Sequence, residues 1–341
     1  MPNRYQKAKF KFITRRYGLH LIRISTHDSL YKKNAVYCAT TNRGKSLVKE
    51  LNTRSLGKTL PQEKFFSYVR KLKTSKYPNT PRWLKTRTGE YSVNWHGRPY
   101  YMTEWISGRK ITDDVHDYES LGRALAHLHN LRKVQHTPTP AYTHQRIKDF
   151  KHQGHLFHRQ LKGFQQKKTT SSRWFDRFGE SCVRLTHEAW RIIDDPDVKR
   201  ILLKERWHPA LIHGDVTIPN IVIHSGRLFL IDWDCLRTGS KYYEVVKTLS
   251  NTTYYNPVLM DAFLQGYEEV RPFKSPERLL ISALFRLPRE AWNVARKIGS
   301  GRSDQGLKLL GVTWYDRLDA IRHLDEWAKE GSIISASEHQ I

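Results

Sequence analysis

The most informative segment of this 341-residue chain is Leu211-Ile212-His213-Gly214-Asp215-Val216-Thr217-Ile218-Pro219-Asn220-Ile221-Val222-Ile223-His224-Ser225-Gly226-Arg227-Leu228-Phe229-Leu230-Ile231-Asp232-Trp233-Asp234. It contains two short β-type runs, 221–223 and 228–231, and Ser225-Gly226 lies midway between them. A Ser-Gly pair between two such runs is typical of a two-residue hairpin turn. Counting outward from this turn pairs His224 with Arg227.

Polar side chains converge at one end of the predicted hairpin. The same counting places Asn220 beside Ile231 or Asp232, so an amide and a carboxylate meet there, and such oxygen donors suit Mg²⁺. Asp215 lies on the tight loop that leads into the hairpin and can lie close to the same point. A carboxylate that deprotonates a hydroxyl, with an Asn and an Asp on Mg²⁺, is what phosphoryl transfer requires. The alternative is a polar turn with incidental acids, but the spacing His-x-Asp-x-x-x-x-Asn followed by a strand ending in Asp favours function.

The N-terminal third predicts a small antiparallel sheet. Apolar and polar residues alternate over 18–24, and an extended run at 35–39 is followed by an Asn-Arg-Gly turn and the run 46–49. Two strands around a Gly-containing turn indicate a hairpin. A helix follows Pro61, with apolar positions at Phe65, Phe66, Val69 and Leu72, and two further strands are expected near 90–94 and 99–104. The prediction is therefore one sheet with one helix.

Beyond Gly108 the pattern becomes helical. Leu121, Leu125 and Leu128 form a helical stripe that predicts core packing, and the acids of 113–117 can cap that helix. Residues 138–180, rich in His, Lys, Gln and Ser, predict a long insertion or a helix pair with a mobile connection. More helices are expected at 180–206 and from the hairpin to about residue 329, before a polar tail.

Charge is unevenly distributed along the chain. The total is +26, but residues 1–110 contain 25 basic and 5 acidic residues, a net charge of +20. A domain this basic attracts polyanions such as nucleic acid, whereas the alternative is a merely solvated, self-repelling surface. The aromatic residues that alternate with the basic ones favour the polyanion hypothesis; these are Tyr5, Phe10, Phe12 and Tyr17.

Composition excludes several classes of protein. Aliphatic and aromatic residues are too abundant for a wholly disordered chain, and no uncharged apolar stretch is long enough for a membrane helix. The N-terminus lacks the apolar segment of a secretory signal. The three cysteines, Cys38, Cys182 and Cys235, are too far apart for a Cys-x-x-Cys pair, so neither a disulfide framework nor a zinc site is expected. We therefore expect a soluble, non-exported, intracellular protein.

These motifs resemble a known family. His213-Gly214-Asp215 through Asn220, with Ile231-Asp232-Trp233-Asp234, is similar to the catalytic and metal loops of the aminoglycoside phosphotransferase and choline kinase superfamily, which has a protein-kinase-like fold. Residues 37–49 resemble its second and third strands, 100–108 its hinge and 121–129 the helix after the hinge. Within the superfamily the chain is most similar to the spore coat protein S group of spore-forming bacteria, through Trp105-Ile106-x-Gly108, Leu125-Ala126-x-Leu128-His129 and Pro288-x-x-Ala291-Trp292, among other positions.

The resemblance implies roles for individual residues. Asp215 would be the catalytic base, Asn220 and Asp232 the Mg²⁺ ligands, and Lys49 the cation on the α and β phosphates of ATP. Glu63, at the start of the next helix, could pair with Lys49, although an acid is also simply favourable in a first helical turn. Lys45 is the alternative to Lys49. The backbone groups of Glu104 and Ile106 would contact adenine, His213 would brace the loop, and Asp234 would be a supporting acid or a cap.

The expected fold class is α+β, a bilobal protein-kinase-like fold. Residues 1–106 would form a basic, nucleotide-binding N-lobe, 107–330 a helical C-lobe that is catalytic and binds the substrate, and 331–341 a polar tail. Residues 26–34 replace the glycine-rich loop of protein kinases, and no Ala-Pro-Glu segment follows Asp232. This pattern favours a small-molecule kinase over a protein kinase.

Three functions remain open on the sequence. The first is an ATP- and Mg²⁺-dependent phosphotransferase that acts on a hydroxyl of a small molecule and is associated with spore coat formation. The second is a weak or inactive kinase-fold structural protein of the spore coat, with coat proteins as partners, because a fold does not establish activity. The third is polyanion binding through the basic N-lobe. The resemblance implies a location in the mother-cell cytoplasm or the spore coat, and the sequence does not identify the acceptor.

Overall fold

The computed structural model describes residues 4–27, 36–52, 60–131, 141–166, 170–301 and 305–337. The chain divides into two compact units, one formed by residues 1–111 and 213–237 and the other by 112–212 and 238–341. The first contains most of the β-structure and the second is mainly helical. The predicted α+β class is confirmed, and the predicted hairpin lies in the same unit as the N-terminal sheet. Across the described ranges, no helix is both long and apolar enough to cross a membrane.

The first unit is built on a five-stranded sheet with the order β1-β2-β3-β5-β4, antiparallel throughout. Its strands are β1 (Leu21–His27), β2 (Val36–Thr41), β3 (Gly44–Glu50), β4 (Ser92–Trp95) and β5 (Arg98–Glu104). The turn at residues 42–43 joins β2 to β3 as predicted, with Thr41 paired to Gly44. In the register between β3 and β5, Lys49 lies opposite Tyr101.

Two helices pack on this unit, where the sequence predicted one. The predicted helix is α2 (Gln62–Thr74), and its four expected apolar positions are all buried. The unexpected helix is α1 (Arg4–Arg16), whose Phe10 and Ile13 are fully buried against the sheet. On β5, Tyr100 belongs to the core under α1, whereas Tyr101 stacks on Trp83, which contacts Phe65 of α2. Because side chains alternate along a strand, the two helices cover opposite faces.

The aromatic residues of the N-terminus are mainly core residues, which corrects one argument for polyanion binding. Phe10 is fully buried, Tyr17 is buried with its hydroxyl donating to the Tyr91 carbonyl at 2.8 Å, and Phe12 packs partly against the same core. Only Tyr5 of the four is largely exposed. Interleaving of basic and aromatic residues is here the pattern of an amphipathic helix with a basic outer face.

A second small sheet carries the predicted hairpin. It has the order β6-β8-β9, with β6 (Arg109–Lys110), β8 (Ile221–His224) and β9 (Arg227–Leu230). His224 pairs with Arg227 across the turn, so the predicted register is confirmed. Ser225 and Gly226 both have positive φ (48° and 71°), the backbone that a tight two-residue hairpin turn requires.

The second unit contains nine helices among the residues described: α3 (Val115–His129), α4 (Ala141–Gln165), α5 (Thr170–Ile193), α6 (Pro196–Trp207), α7 (Lys241–Thr252), α8 (Pro257–Val270), α9 (Ser275–Arg286), α10 (Arg289–Gly299) and α11 (Gln305–Ser337). Two short strands, β7 (Ala210–Ile212) and β10 (Arg237–Gly239), pair with each other. The helix pair expected in 138–180 is present as α4 and α5, while the connection at 167–169 lies outside the described residues. Helix α11 continues past residue 331, where the sequence predicted a tail.

Helices α3 and α8 approach each other at two glycines. A Cβ on Gly122 would lie 2.1 Å from the Phe263 carbonyl oxygen, and one on Gly266 would lie 2.1 Å from the Glu119 carbonyl oxygen. Any larger side chain would therefore force the helices apart. The predicted stripe of α3, including Leu121, Leu125 and Leu128, is buried as expected.

Candidate active site

The loop that enters the hairpin is braced by His213. Its Nε2 lies 2.9 Å from the carbonyl oxygen of Ile231, and the backbone N–H of Asp215 donates to Nδ1 at 3.3 Å. Because Nδ1 accepts, Nε2 must carry the proton and donate to Ile231. The ring is fully buried and meets Trp233 edge-on with centroids 4.5 Å apart. The bracing role expected for His213 is thus the arrangement observed.

Gly214 is required by the shape of this loop. Its φ is +84°, and a Cβ there would lie 2.4 Å from Nη1 of Arg237 and 2.5 Å from the carbonyl oxygen of Cys235. Only glycine combines this backbone conformation with so close an approach. The neighbouring Arg237 Nη1 donates to the same Cys235 carbonyl at 2.7 Å, a bond within the segment after β9 against which Gly214 lies.

Asp215 and Asn220 are brought together directly. The Asn220 amide nitrogen donates to the Asp215 carbonyl oxygen at 2.9 Å and lies 3.3 Å from its Oδ2. The backbone carbonyl of Asn220 accepts from the N–H of Ile231 at 2.9 Å, so the hairpin pairing continues past its last ladder pair. Asn220 therefore lies beside Ile231, one of the two positions that the turn-based counting allowed.

The hairpin is anchored from outside by Asn79. Its amide nitrogen donates to the carbonyl oxygen of Leu228 at 2.9 Å, and its own carbonyl accepts from the N–H of Leu230 at 2.9 Å. The two bonds make this short segment behave as an additional partner of β9. Sequence reasoning did not identify Asn79, because nothing local links it to a strand about 150 residues later.

Asp232 and Asp234 meet Lys49 at the end of the hairpin. The Lys49 Nζ lies 2.5 Å from Asp232 Oδ1 and 3.0 Å from Asp234 Oδ2. Asp232 adopts a left-handed backbone (φ 61°, ψ 63°) at the start of the 3₁₀ turn at 233–235, a conformation that Asp tolerates better than most residues. Its side chain is 37% exposed, against 12% for both Lys49 and Asp234.

The electrostatics of this group are dominated by its two carboxylates. Burial alone would lower the pKa of Lys49, but the Asp234 and Asp232 carboxylates outweigh that effect and raise it to about 12. Burial, reinforced by the neighbouring Asp232, raises the pKa of Asp234 above its ordinary value although Lys49 opposes this. One ammonium thus faces two acids, and the group carries an excess of negative charge suited to a cation.

Tyr101 completes the group and was not singled out from the sequence. Its hydroxyl donates to Asp234 Oδ1 at 2.8 Å. Burial, with the Asp234 and Asp232 carboxylates, raises the pKa of Tyr101 well above its ordinary value, so the hydroxyl keeps its proton and remains a donor. The signal available was strand alternation, since the residue opposite Lys49 on a neighbouring strand shares its face of the sheet.

Glu63 does not have the position expected for a partner of Lys49. It lies exposed in the first turn of α2, and within the described ranges Lys49 forms ion pairs with Asp232 and Asp234 instead. The first-turn location favours the simpler explanation, in which the Glu63 carboxylate interacts with the helix N-terminus.

Glu104 is the last residue of β5, and Ile106 lies two positions after it. The Glu104 N–H donates to the Arg82 carbonyl at 2.9 Å, and its carbonyl accepts from the Thr103 hydroxyl at 3.0 Å. No described residue accepts a hydrogen bond from the Ile106 N–H. The segment therefore offers one backbone donor at Ile106 and the second lone pair of the Glu104 carbonyl.

The oxygen donors fit a hard cation bound together with a nucleotide. Because the Asn220 amide nitrogen is turned to Asp215, its Oδ1 is directed elsewhere, and Asp232 is partly exposed. The described part of the chain contains no cluster of three or more His, Cys, Asp or Glu side chains suited to a metal. A cation here would take two protein ligands, with phosphate oxygens and water as the others, which is the usual manner of Mg²⁺.

The fold is shared with solved kinases. The aminoglycoside phosphotransferase of Alicyclobacillus acidocaldarius superposes with a TM-score of 0.80 at 17% identity, covering 94% of this chain and 96% of that one. Spectinomycin phosphotransferase with ADP and spectinomycin gives 0.60 at 14% identity (96% and 94%), and amicoumacin kinase with AMP-PNP, Ca²⁺ and Ami gives 0.58 at 14% (94% of both). At these identities the likeness establishes the fold.

A curated relative and a family profile add sequence information. A 69-residue segment is 32% identical to the probable bifunctional tRNA threonylcarbamoyladenosine biosynthesis protein of Methanospirillum hungatei, covering 18% of this chain and only 13% of that protein's length. The profile of the phosphotransferase enzyme family matches residues 32–279, more than two thirds of the chain, and the protein therefore belongs to that family.

Proposed function

We propose that the protein is an ATP- and Mg²⁺-dependent phosphotransferase that acts on a hydroxyl group of a small molecule. Family membership gives the reaction class. The observation that carries the proposal is the grouping of Lys49, Asp232 and Asp234, next to a loop in which Asp215 is bonded to Asn220. A nucleotide phosphate chain, a divalent cation and a hydroxyl are the three groups that these side chains suit.

In this proposal Asp215 orients the acceptor hydroxyl and takes its proton as the oxygen attacks the γ phosphorus of ATP. The bond from that phosphorus to the β–γ bridging oxygen breaks, and ADP leaves. Lys49 binds the phosphates, while Asn220 and Asp232 hold Mg²⁺, which when bound neutralises charge on the transferred phosphoryl group. His213 and Gly214 keep the Asp215 loop in shape.

Adenine would bind at the end of β5. The Ile106 N–H is a donor with no acceptor among the described residues, and the Glu104 carbonyl keeps a lone pair. A donor and an acceptor two residues apart suit the edge of adenine. Residues 1–106 then correspond to a nucleotide-binding lobe and 107–330 to the lobe that binds the acceptor.

The ligands in the solved structures of two neighbours support nucleotide binding and a small acceptor. One was solved with ADP and spectinomycin, and another with AMP-PNP, Ca²⁺ and Ami. The acceptor of this chain is proposed only as a hydroxyl-bearing small molecule.

The test is a screen of sugars, amino alcohols and nucleosides for acceptor-dependent ATP consumption, with Asp215→Ala beside the wild type. The proposal would be supported if the wild type consumes ATP with at least one acceptor and Asp215→Ala does not. Turnover that survives Asp215→Ala unchanged would contradict it.

A structural role in the spore coat is the second candidate, and it rests on the resemblance to the spore coat protein S group. In that case the fold would serve as a scaffold for coat proteins, in the mother-cell cytoplasm or in the coat itself. Failure to bind ADP with Mg²⁺ in a thermal-shift titration would favour this reading over the enzyme.

Polyanion binding through the basic lobe is favoured by one observation. Helix α1 presents Lys7, Lys11 and Arg15 on its exposed side, four residues apart, and the helix contains no acid. Such like charges destabilise a helix slightly unless an anion lies nearby. Binding to nucleic acid that falls steeply with salt, and is lost in a Lys7→Gln, Lys11→Gln, Arg15→Gln variant, would support it, whereas no binding at low salt would end it.

A further inference from the structure

Lys49 is held by two carboxylates of one short turn, and the two carboxylates differ in their exposure to solvent. Asp232, at 2.5 Å, is the more exposed and is the one that the proposed function assigns to the cation. Asp234, at 3.0 Å, has a side chain that is 12% exposed. Both oxygens of Asp234 are engaged, one by Lys49 and one by the Tyr101 hydroxyl, so it is the carboxylate that keeps its contact with Lys49 when Asp232 turns to the cation.

Asp234 is itself fixed in place. One of its oxygens contacts Lys49 and the other accepts from the Tyr101 hydroxyl at 2.8 Å. Tyr101 lies directly opposite Lys49 in the pairing of β3 with β5. The ammonium, the carboxylate and the hydroxyl therefore form one closed group on a single face of the sheet, with each member set by the strand backbone or by the turn.

Helix α2 offers no substitute. Its only acid, Glu63, is exposed at the helix start, and the described residues give it no contact with Lys49. An acid on α2 could contact Lys49 only while the helix lies close to the sheet. Asp234 belongs to the same turn as the cation ligand, so its hold on Lys49 does not depend on where α2 lies.

We propose that Asp234, oriented by Tyr101, is the positioning residue that aims Lys49 at the nucleotide phosphates, and that Glu63 has no part in this. The proposal rests on the proposed function, since it presupposes nucleotide binding at Lys49. The position of the Lys49 side chain is then set by the metal-binding turn and Tyr101, and not by helix α2.

The test measures ADP affinity by titration calorimetry, once in EDTA and once with Mg²⁺. Asp234→Asn should weaken ADP binding about tenfold with Mg²⁺, when Asp232 is on the cation and Lys49 loses its remaining charged partner, and by less in EDTA, when Asp232 can still hold Lys49. Simple electrostatics predicts the opposite sign, since removing a negative charge near phosphates strengthens their binding. Unchanged or tighter binding by Asp234→Asn would therefore overturn the positioning role.

A double-mutant cycle locates the effect at Lys49. In a Lys49→Ala background, Asp234→Asn should cause no further loss of affinity, because the residue through which it acts is gone. A full additional loss would overturn the proposal. Tyr101→Phe should also weaken ADP binding, by less than Asp234→Asn. If thermal unfolding shows that Asp234→Asn is not folded, Tyr101→Phe provides the test instead. Unchanged ADP binding by Tyr101→Phe would then contradict the positioning role of Asp234.

Two further variants provide matched controls. Glu50→Gln removes a carboxylate that neighbours Lys49 in sequence but contacts Tyr100, on the opposite face of the sheet, and should leave ADP affinity unchanged. Glu63→Gln should also have no effect, and a loss equal to that of Asp234→Asn would overturn the claim about α2. Absence of ADP binding by the wild type would overturn the proposed function as well, an outcome distinct from wild-type binding that the variants do not alter.

Discussion

Two carboxylates of this protein, both largely shielded from solvent, have the same kinds of partner but different surroundings. In the sheet unit, Asp234 accepts from Tyr101 and contacts Lys49. In the helical unit, Glu277 accepts from the Tyr242 hydroxyl and pairs with Arg271 at 2.6 Å. Each group thus combines an acid, a tyrosine hydroxyl and a cation, yet only the first lies in the candidate active site.

The difference lies in the remaining charge. Burial would raise the pKa of Glu277, but Tyr242 and Arg271 outweigh it and the pKa is lowered, whereas the pKa of Asp234 stays raised beside a second acid. The other oxygen of Glu277 accepts from the Lys274 N–H at 2.9 Å, at the start of α9. The Glu277 group is therefore neutral and connects α9 to α7 and to the end of α8, whereas the Asp234 group has one more negative than positive charge. A local set of residue types does not distinguish a site from a structural cross-link; its charge balance does.

The largest effect expected is on catalysis. Asp215→Asn keeps the shape of the side chain but cannot accept a proton, so phosphoryl transfer should fall on the order of a thousandfold. The rate would be measured as ATP consumption with an acceptor found in the screen, and Asp113→Asn, an exposed acid of the helical unit, is the control. A decrease of less than about tenfold would remove Asp215 from the role of base.

The next effect is on stability and should appear in the helical unit alone. Glu277→Ala leaves the half-buried Arg271 guanidinium and the buried Tyr242 hydroxyl without their shared acceptor, and should lower the free energy of unfolding by about 3–5 kcal/mol. Urea unfolding measures this, with Glu269→Ala, which removes a surface pair with Arg123, expected to cost less than about 1 kcal/mol. Equal losses in the two variants would show that the Glu277 group is not the cross-link inferred here.

A third carboxylate, Glu205, shows how burial changes a pKa where a nearby cation, Lys241, does not outweigh the effect of burial. Burial raises the pKa of Glu205 to about 7, and its Oε2 has no hydrogen-bond partner among the described residues, while Oε1 accepts from the Lys241 N–H at 2.9 Å. Since the folded state then binds a proton more tightly than the unfolded chain, the free energy of unfolding should fall as pH rises from about 4.5 to about 7 and level off above that. The total decrease due to Glu205 should be about 3 kcal/mol.

Glu205→Gln should remove this part of the pH dependence. Urea unfolding at pH 5, 6, 7 and 8 gives the slope for both proteins. An identical slope in the variant would mean that Glu205 titrates in the folded protein as it does in the unfolded chain.

The smallest effect concerns a helix cap. Asp114 accepts from the His116 N–H at 3.0 Å at the start of α3, so Asp114→Ala should cost about 1 kcal/mol of unfolding free energy. Asp113→Ala, one residue earlier, is the matched control. If both variants cost the same, the effect comes from general charge near the helix end and not from the cap.

Local pattern was sufficient for elements whose partners are close in sequence. The pairing of His224 with Arg227 follows from a two-residue turn, since strand side chains repeat every two residues and the turn fixes the register. The same counting put Asn220 next to Ile231 or Asp232, and Ile231 is the residue that bonds to it. The buried face of α2 follows in the same way from helical spacing.

The sequence of helix α1 contains a helical apolar pattern that the sequence analysis did not use. Phe10, Ile13 and Tyr17 have helical spacing and are all buried. The surrounding basic residues made the aromatic positions resemble a nucleic-acid surface, because composition alone does not say which side of a helix faces the core. Periodicity measured over 4–16 would have distinguished the two interpretations.

The sequence was sufficient to identify the residue types of the candidate site. Few side chains can bind Mg²⁺ or accept a proton, and Asp215, Asn220 and Asp232 lie close together in sequence around one hairpin. Which acid holds Lys49 was settled only by tertiary structure. Asp234 is 185 positions away from Lys49 and reaches it because the end of β3 lies beside the turn after the hairpin, whereas Glu63, much nearer in sequence, is turned to solvent. Contacts of that range depend on how the sheet, helix and turn pack together, and no local pattern records that packing.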